Sequence, residues 1–177
     1  ERGTVRINAR SKLLGLHQIG PLCAAAHIAL HLGHTVAEVE AGIANTKPFS
    51  HRLERRDDAS GVITLDDSYN GNPDGVSAIV AFLASLRDHR RIYVTPGLVE
   101  TGARVREVHR QIGRELADAK IEIVILIRNS VTPFIAEGLA GAHYTGKVMW
   151  FDDALGAFNA LPHITIAGDV VTLQNDW

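Results

Sequence analysis

Hydrophobic positions along this chain follow two different rhythms, and the change between them falls near residue 60. In the first part, Pro21 to Leu32 predicts a helix, with Pro21 in the first turn and Gly33 just past the end. A second helix follows directly. Thr35 and Glu38 form a Thr-x-x-Glu capping box, and Val36, Val39 and Ile43 are spaced to share one face. Thr4 to Ile7 alternates as a short strand does, and Ser11 to Gly20 reads as a loop. Residues 45–61 are polar and irregular, with a basic and acidic cluster from Arg52 to Asp58. A domain boundary is expected there, dividing residues 1–48 from 49–177.

From Val62 onward, short apolar runs alternate with helical stripes. Strands are predicted at Val62–Asp66, Arg91–Thr95, Ile121–Ile127, Lys147–Phe151 and Val170–Leu173. Helices are predicted between them, at Pro73–Arg87, Arg104–Ala119, Pro133–Leu139 and Asp153–Ala160. Val76, Ile79, Val80, Leu83 and Leu86 make the clearest stripe, behind the cap Asn72 and the first-turn Pro73. Ile121–Ile127 is apolar at nearly every position after Glu122, as a strand covered on both faces requires. Strands joined by helices imply a mostly parallel sheet with right-handed crossovers, a Rossmann-like α/β layer structure.

Composition narrows the function class. A formal charge of -2 supplies no electrostatic case for nucleic acid or an anionic membrane. Purely apolar runs such as Ile123–Ile127 are far too short for membrane insertion. The single cysteine, Cys23, excludes an internal disulfide framework, suits a reducing cytoplasm and is expected in the core of an Ala-rich helix. His27 and His31 share a helix face, but no Glu accompanies them and Cys23, one turn earlier, is read as a core residue, so no metal site is expected. No Gly-x-x-x-x-Gly-Lys-Ser/Thr sequence is present to cradle phosphates. The first residue is Glu1 rather than methionine, and further chain is expected upstream.

Ligands of open parallel sheets bind beyond the carboxyl ends of the strands. Two loops qualify. Asp66-Asp67-Ser68-Tyr69-Asn70-Gly71-Asn72-Pro73 offers carboxylates, amides, a hydroxyl and a phenol just before a helix. Two neighbouring aspartates resist ionising together, so one should bond to a donor or face water. The same residues also suit a turn and a helix cap, and both readings stand at this point. In Thr95-Pro96-Gly97-Leu98-Val99-Glu100-Thr101-Gly102, Thr101 suits a cap and Glu100 suits an ammonium group.

The first of these loops resembles the Asp-Asp-x-Tyr-Asn-Ala-Asn-Pro signature of the Mur ligase family, most closely of its MurF-type members. Leu14-Gly15-Leu16-His17 with the helix after it resembles the family's Gly-x-His-Asn-x-x-Asn segment, at the end of the central ATP-binding domain. Ser50-His51-Arg52-Leu53-Glu54 resembles the His/Gly-Arg-x-Glu segment that opens the C-terminal domain. The second loop, with His109 and Gly113, resembles a Gly-x-x-x-Glu-Leu-Gly stretch. The resemblance implies that residues 1–48 end the central domain and 49–177 form the C-terminal domain. It implies an ADP-forming ligase of cell-wall precursor synthesis, joining D-alanyl-D-alanine to a UDP-sugar peptide through an acyl phosphate.

By the same resemblance, His17 and Gln18 lie beside adenine, Arg52 reaches the nucleotide phosphates, and Asp67 accepts from the ribose hydroxyls. Tyr69, Asn70, Asn72 and Glu100 belong to the cleft where nucleotide and incoming amine meet. ATP is implied, as is Mg2+ bound mainly by upstream domains, and catalysis by this fragment alone is not expected. The chain departs from the pattern at Gln18 and Pro21, where the family has asparagines, and at the Thr95-Pro96-Gly97 turn. A ligase of other amino-acid specificity, including the pseudomurein type, and a non-catalytic nucleotide- or peptide-binding module are the competing readings.

Overall fold

The computed structural model describes residues 4–175. The backbone divides into two compact units, the first reaching Phe49 and the second starting at Ser50.

The first unit has a 3₁₀ turn, Leu16–Gln18, and two helices, α1 (Ile19–His31) and α2 (Val36–Asn45). The expected capping box closes α2: Glu38 N–H donates to the Thr35 hydroxyl at 3.3 Å, and Thr35 N–H donates to the Glu38 carboxylate at 2.7 Å. Helix α1 starts two residues before Pro21. The proline still lies in the first turn, where its missing N–H has no intrahelical partner to lose. Thr4–Ile7 is not a strand. Among the described residues of this unit no neighbouring strand takes up its backbone groups, and its segment is tied instead by Asn8 N–H to Glu40 of α2 at 2.7 Å. Only Ala26 and Val39 of the two helices are fully buried, and Cys23 is exposed rather than core. Two short helices alone have too little facing surface to cover one another's apolar stripes.

The second unit is a six-stranded sheet ordered β1-β2-β6-β3-β4-β5. Its strands are β1 (Glu54–Asp57), β2 (Ile63–Asp67), β3 (Arg91–Thr95), β4 (Ile123–Ile127), β5 (Lys147–Phe151) and β6 (Val170–Gln174). All neighbours run parallel except the β1–β2 pair. Helices α3 (Pro73–Ser85), α4 (Val105–Asp118), α5 (Thr132–Gly141) and α6 (Ala154–Ile164) connect β2 through β6. Helix α6 packs on Ile92, Val94, Ile123, Ile125 and Val171. The alternate positions, Tyr93, Val124 and Leu126, are equally buried on the other face, which is why β3 and β4 read as continuous apolar runs.

Strand β1 was not expected. Its Glu-Arg-Arg-Asp sequence has no apolar alternation, and its pairing opposite Asp66 to Ile63 makes it a charged edge, suited to resist further strand addition. Helix α6 runs past the expected end at Ala160 to Ile164, with Pro162 inside it. The proline removes one interior hydrogen bond, while Leu161 and Ile164 pack on the core and hold the last turn.

Two arginines, Arg91 buried and Arg90 half-buried, fasten the amino ends of the strands. Arg91, 5% exposed, donates to Glu122 and to the carbonyls of Leu83, Ala119 and Lys120 near the ends of α3 and α4. A cation there meets the negative ends of two helix dipoles. Arg90 holds buried Asp169 through two hydrogen bonds of 2.9 and 2.6 Å. Burial pushes both carboxyls up, but these donors outweigh it and hold each below its ordinary range. Carboxyls depressed in the folded state contribute stability above their unfolded pKa and lose it as pH falls through the folded value. The unfolding free energy is therefore expected to drop steadily below about pH 4, in urea titrations at stepped pH, and less steeply in Arg91→Met.

Helices α4 and α5 touch through glycines. A Cβ on Gly113 would run into the Ile135 carbonyl oxygen, and one on Gly138 into that of Arg110. Backbone cannot give as a flexible side chain can. Gly113→Ala is expected to destabilise the fold by about 3 kcal/mol in chemical denaturation. Gly141→Ala, in open space at the end of α5, should be neutral or gain up to about 1 kcal/mol.

Candidate functional site

Strand alternation sends Asp66 and Asp67 to opposite faces of β2, and their surroundings diverge accordingly. Asp66 is 2% exposed and saturated with donors: His51 Nδ1 at 2.9 Å, Ser68 N–H at 3.1 Å, Ser68 Oγ at 2.6 Å and Arg56 Nη2 at 2.9 Å. Burial alone would raise its pKa, but the Ser68 and His51 hydrogen bonds and the Arg56 charge hold it below the usual carboxylate range. Asp67 is half-buried and accepts from Leu53 N–H at 2.9 Å. Burial raises it from 3.8 to about 6 against the pull of Leu53 N–H and Arg52, with the Asp66 charge adding to the rise.

The turn before β1 brings Arg52 to this loop. His51 and Leu53 both adopt left-handed backbone, φ 60 and 50, a conformation that costs about 1–2 kcal/mol per non-glycine residue. The turn is held by Tyr69 N–H donating to the His51 carbonyl and by Leu53 N–H donating to Asp67. Arg52 donates to the Asn70 carbonyl at 2.7 Å, and its guanidinium carbon lies 4.5 Å from the centre of the exposed Tyr69 ring. Asn72 caps α3, its side-chain oxygen accepting from Gly75 N–H at 2.8 Å.

The loop after β3 is positioned from below. His109, fully buried, donates from Nδ1 to the Val105 carbonyl at 2.6 Å and accepts Leu98 N–H at Nε2 at 2.9 Å. Burial keeps its pKa below the ordinary value, which preserves the lone pair that Leu98 requires. Gly97 has φ 85, and a Cβ there would press on His109 and Val131, so both its conformation and its space call for glycine. Thr101 makes no side-chain cap bond; a 3₁₀ turn, Gly102–Arg104, leads into α4 instead. Glu100 is exposed, with φ 58.

Asn175 joins the two loops. It is 1% exposed, accepts from Gly71 N–H at 2.8 Å, donates to the Gly97 carbonyl at 2.6 Å and gives its own N–H to the Asp67 carbonyl. Beside it, Gln174 accepts from the Thr95 hydroxyl at 3.1 Å. No sequence signal marked either residue, since both act through strand order: β6, last in the chain, lies between β2 and β3.

The result is a cleft of about 410 Å³ walled by Arg52, Asn70, Asn72, Glu100 and Arg104, continuous in its lining with a neighbouring one that adds His51, Ser68 and Tyr69. Arg52, Tyr69, Asn70, Asn72 and Glu100 thus meet in one place, and Asp67 anchors the Arg52 turn beneath it. His17 and Gln18 belong to the first unit, in its 3₁₀ turn, where left-handed Gly15 (φ 87) lies against the His17 ring. Among the described residues no three His, Cys, Asp or Glu side chains gather to hold a metal ion. The donor-saturated Asp66 and the Arg52 charge beside Asp67 do not fit a magnesium site.

The sequence model of the family described as "Mur ligase, glutamate ligase domain" matches residues 51–174. The UDP-N-acetylmuramoyl-tripeptide--D-alanyl-D-alanine ligase of Escherichia coli (strain K12) is 31% identical over 135 residues, 76% of this chain and 30% of that protein. The ligase of the same name from Haemophilus influenzae is 28% identical over 139 residues, 78% of this chain. The chain spans about 30% of the length of these two relatives. Among solved structures, MurF ligase from Thermotoga maritima in complex with ADP matches with a TM-score of 0.76 at 22% identity, over 92% of this chain and 35% of that one. A pseudomurein peptide ligase type C from Methanothermus fervidus matches with a TM-score of 0.67 at 17% identity, over 96% of this chain and 35% of that one. No helix among the described residues is long and apolar enough to cross a membrane. A family match over most of the chain, on a six-stranded, mostly parallel sheet of the same fold, establishes that this chain belongs to the Mur ligase family and carries its C-terminal Rossmann-like domain.

Proposed function

We propose that this chain is part of a cytoplasmic, ATP-dependent amide ligase of cell-wall precursor synthesis, of the MurF type. Residues 1–48 end its central domain and 49–177 form its C-terminal domain. The complete enzyme activates the carboxylate of a UDP-sugar peptide as an acyl phosphate. The amine of D-alanyl-D-alanine then attacks, releasing phosphate and leaving ADP from the first step. The observation that carries this reading is the convergence of Arg52, Tyr69, Asn70 and Glu100 on one cleft above Asp67.

Each side chain has a task that its chemistry suits. Arg52, stacked on Tyr69 and braced by the Asn70 carbonyl, offers its remaining N–H groups to nucleotide phosphates. Asp67 accepts from the ribose hydroxyls with the oxygen not used by Leu53 N–H. Glu100 meets the ammonium group of the incoming dipeptide. Asn70 and Asn72 line the passage between the substrates, and Asn72 holds the mouth of α3 in place through its cap. His17 and Gln18 border adenine, as the family resemblance implies. Catalysis consists largely of bringing two substrates together in a closed, charge-complementary site.

Asp67 provides the first test. In the complete ligase, Asp67→Ala is expected to weaken nucleotide binding by about 1–3 kcal/mol, the range for a charged hydrogen bond, read by calorimetry. Unchanged affinity would remove Asp67 from the site. With its pKa near 6, the carboxylate becomes a poorer acceptor as pH falls through that value, so wild-type nucleotide affinity should decline there. The stability effect has the opposite sign to that of Glu122. A carboxyl raised on folding stabilises below its unfolded pKa and loses that contribution as pH rises toward 6. Asp67→Asn should remove this slope between pH 4 and 6 in urea titrations.

The division of labour provides the second. The 177-residue chain alone is expected to turn over no ATP in a coupled assay for ADP. Turnover by a homogeneous preparation would overturn the assignment of activation chemistry to other domains.

A further inference from the structure

The cleft contains a histidine that the nucleotide assignments do not use. His51 Nδ1 lies 2.9 Å from Asp66 Oδ2. Asp66 is buried and held ionised by Ser68, His51 and Arg56, so it accepts only, and the ring proton resides on Nδ1. In the neutral ring the lone pair is then on Nε2, which makes no hydrogen bond among the described residues. The His51 side chain is 47% exposed and lines the same cleft as Tyr69, Val99 and Glu100. Ser68 Oγ lies 3.3 Å from the same Nδ1 and donates to Asp66, so it is a second brace on the dyad. A hydroxyl activated by this histidine would have to face Nε2 instead. His51 and Glu100 both hold left-handed backbone, φ 60 and 58, and strained residues facing one cleft are a mark of functional geometry.

We propose that His51, oriented by Asp66, is the general base that takes a proton from the incoming ammonium group held at Glu100. This rests on the ligase reading above. An ammonium has no lone pair, so it must lose a proton before it attacks. His51 Nε2 accepts that proton, giving a free amine and an imidazolium stabilised by Asp66. The amine nitrogen forms a bond to the acyl phosphate carbon, and the carbon–oxygen bond to phosphate breaks. Departing phosphate carries off the second proton of the amine, and the imidazolium releases its own to solvent. The charged groups around the ring are Asp66 on β2, Glu54 and Arg56 on β1, adjacent Arg52, and Glu100 across the cleft.

The test is His51→Gln in the complete ligase. Amide formation at pH 7 is expected to fall roughly 10²- to 10³-fold in kcat, the usual weight of a positioned base. Acyl phosphate formation, trapped with hydroxylamine (an amine already unprotonated at that pH), should persist with an unchanged KM for ATP. The deficit should shrink as pH rises past about 8, where an α-amino group loses its proton in water. An unchanged kcat, a deficit independent of pH, or loss of the trapped intermediate would each overturn the proposal. A wild-type enzyme that forms no amide would instead overturn the ligase reading. In the 177-residue chain, long-range proton–nitrogen NMR correlations should show neutral His51 protonated at Nδ1; a proton at Nε2 would also overturn it.

Discussion

Two consecutive aspartates at the carboxyl end of β2 impose the constraint on which the site depends. Side by side and partly buried, they could not both be ionised without separate means of stabilisation. The pleat of the strand points them to opposite faces, and each face answers differently. Asp66 receives a full set of donors from His51, Ser68 and Arg56. Asp67 receives one backbone N–H and the more distant influence of Arg52, and its pKa rises to about 6. Both solutions draw on the same short piece of chain, residues 51–56, which explains why a strongly charged strand joins the sheet at this edge. The left-handed turn at His51 and Leu53 is held by the contacts it makes with the two carboxylates and with Tyr69.

The second requirement is that the loops after β2 and β3 keep a fixed separation. A parallel sheet does not ensure this by itself, because β6 lies between the two strands. Asn175, just past the end of β6, spans the gap with one hydrogen bond to each loop, and its left-handed backbone (φ 68) aims both ends of the amide. His109 completes the support by fixing Leu98 from α4. The exposed residues Tyr69 and Glu100 therefore rest on Asn175 and His109, two buried side chains whose polar atoms have partners, a stiffer base than exposed loops would have alone.

The helical layer shows a related economy. Gly113 and Gly138 let α4 and α5 approach until their backbones touch, while Arg91 gathers the carboxyl ends of α3 and α4 over the amino end of β3. The amino ends of the strands are thus locked by charge and close packing, and the carboxyl ends are left free to carry loops.

The sequence by itself determined the periodic elements. The buried strand predicted from Ile121 and formed from Ile123 to Ile127, the stripe of α3 and the capping box of α2 are local patterns whose physical cause lies within a few residues. The polar loop at Asp66–Pro73 was legible for the same reason, together with its family resemblance. Tertiary structure alone decided the rest. Thr4–Ile7 alternates but finds no strand to pair with, whereas Glu54–Asp57 does not alternate and is drawn into the sheet by Asp66. Cys23 is exposed because the two helices of its unit cannot cover one another. The division between Asp66 and Asp67, the left-handed turn that supplies His51, and the bridge made by Asn175 all join residues distant in the chain. Periodicity reports which face a residue takes, but only the order of strands decides which residues will share it.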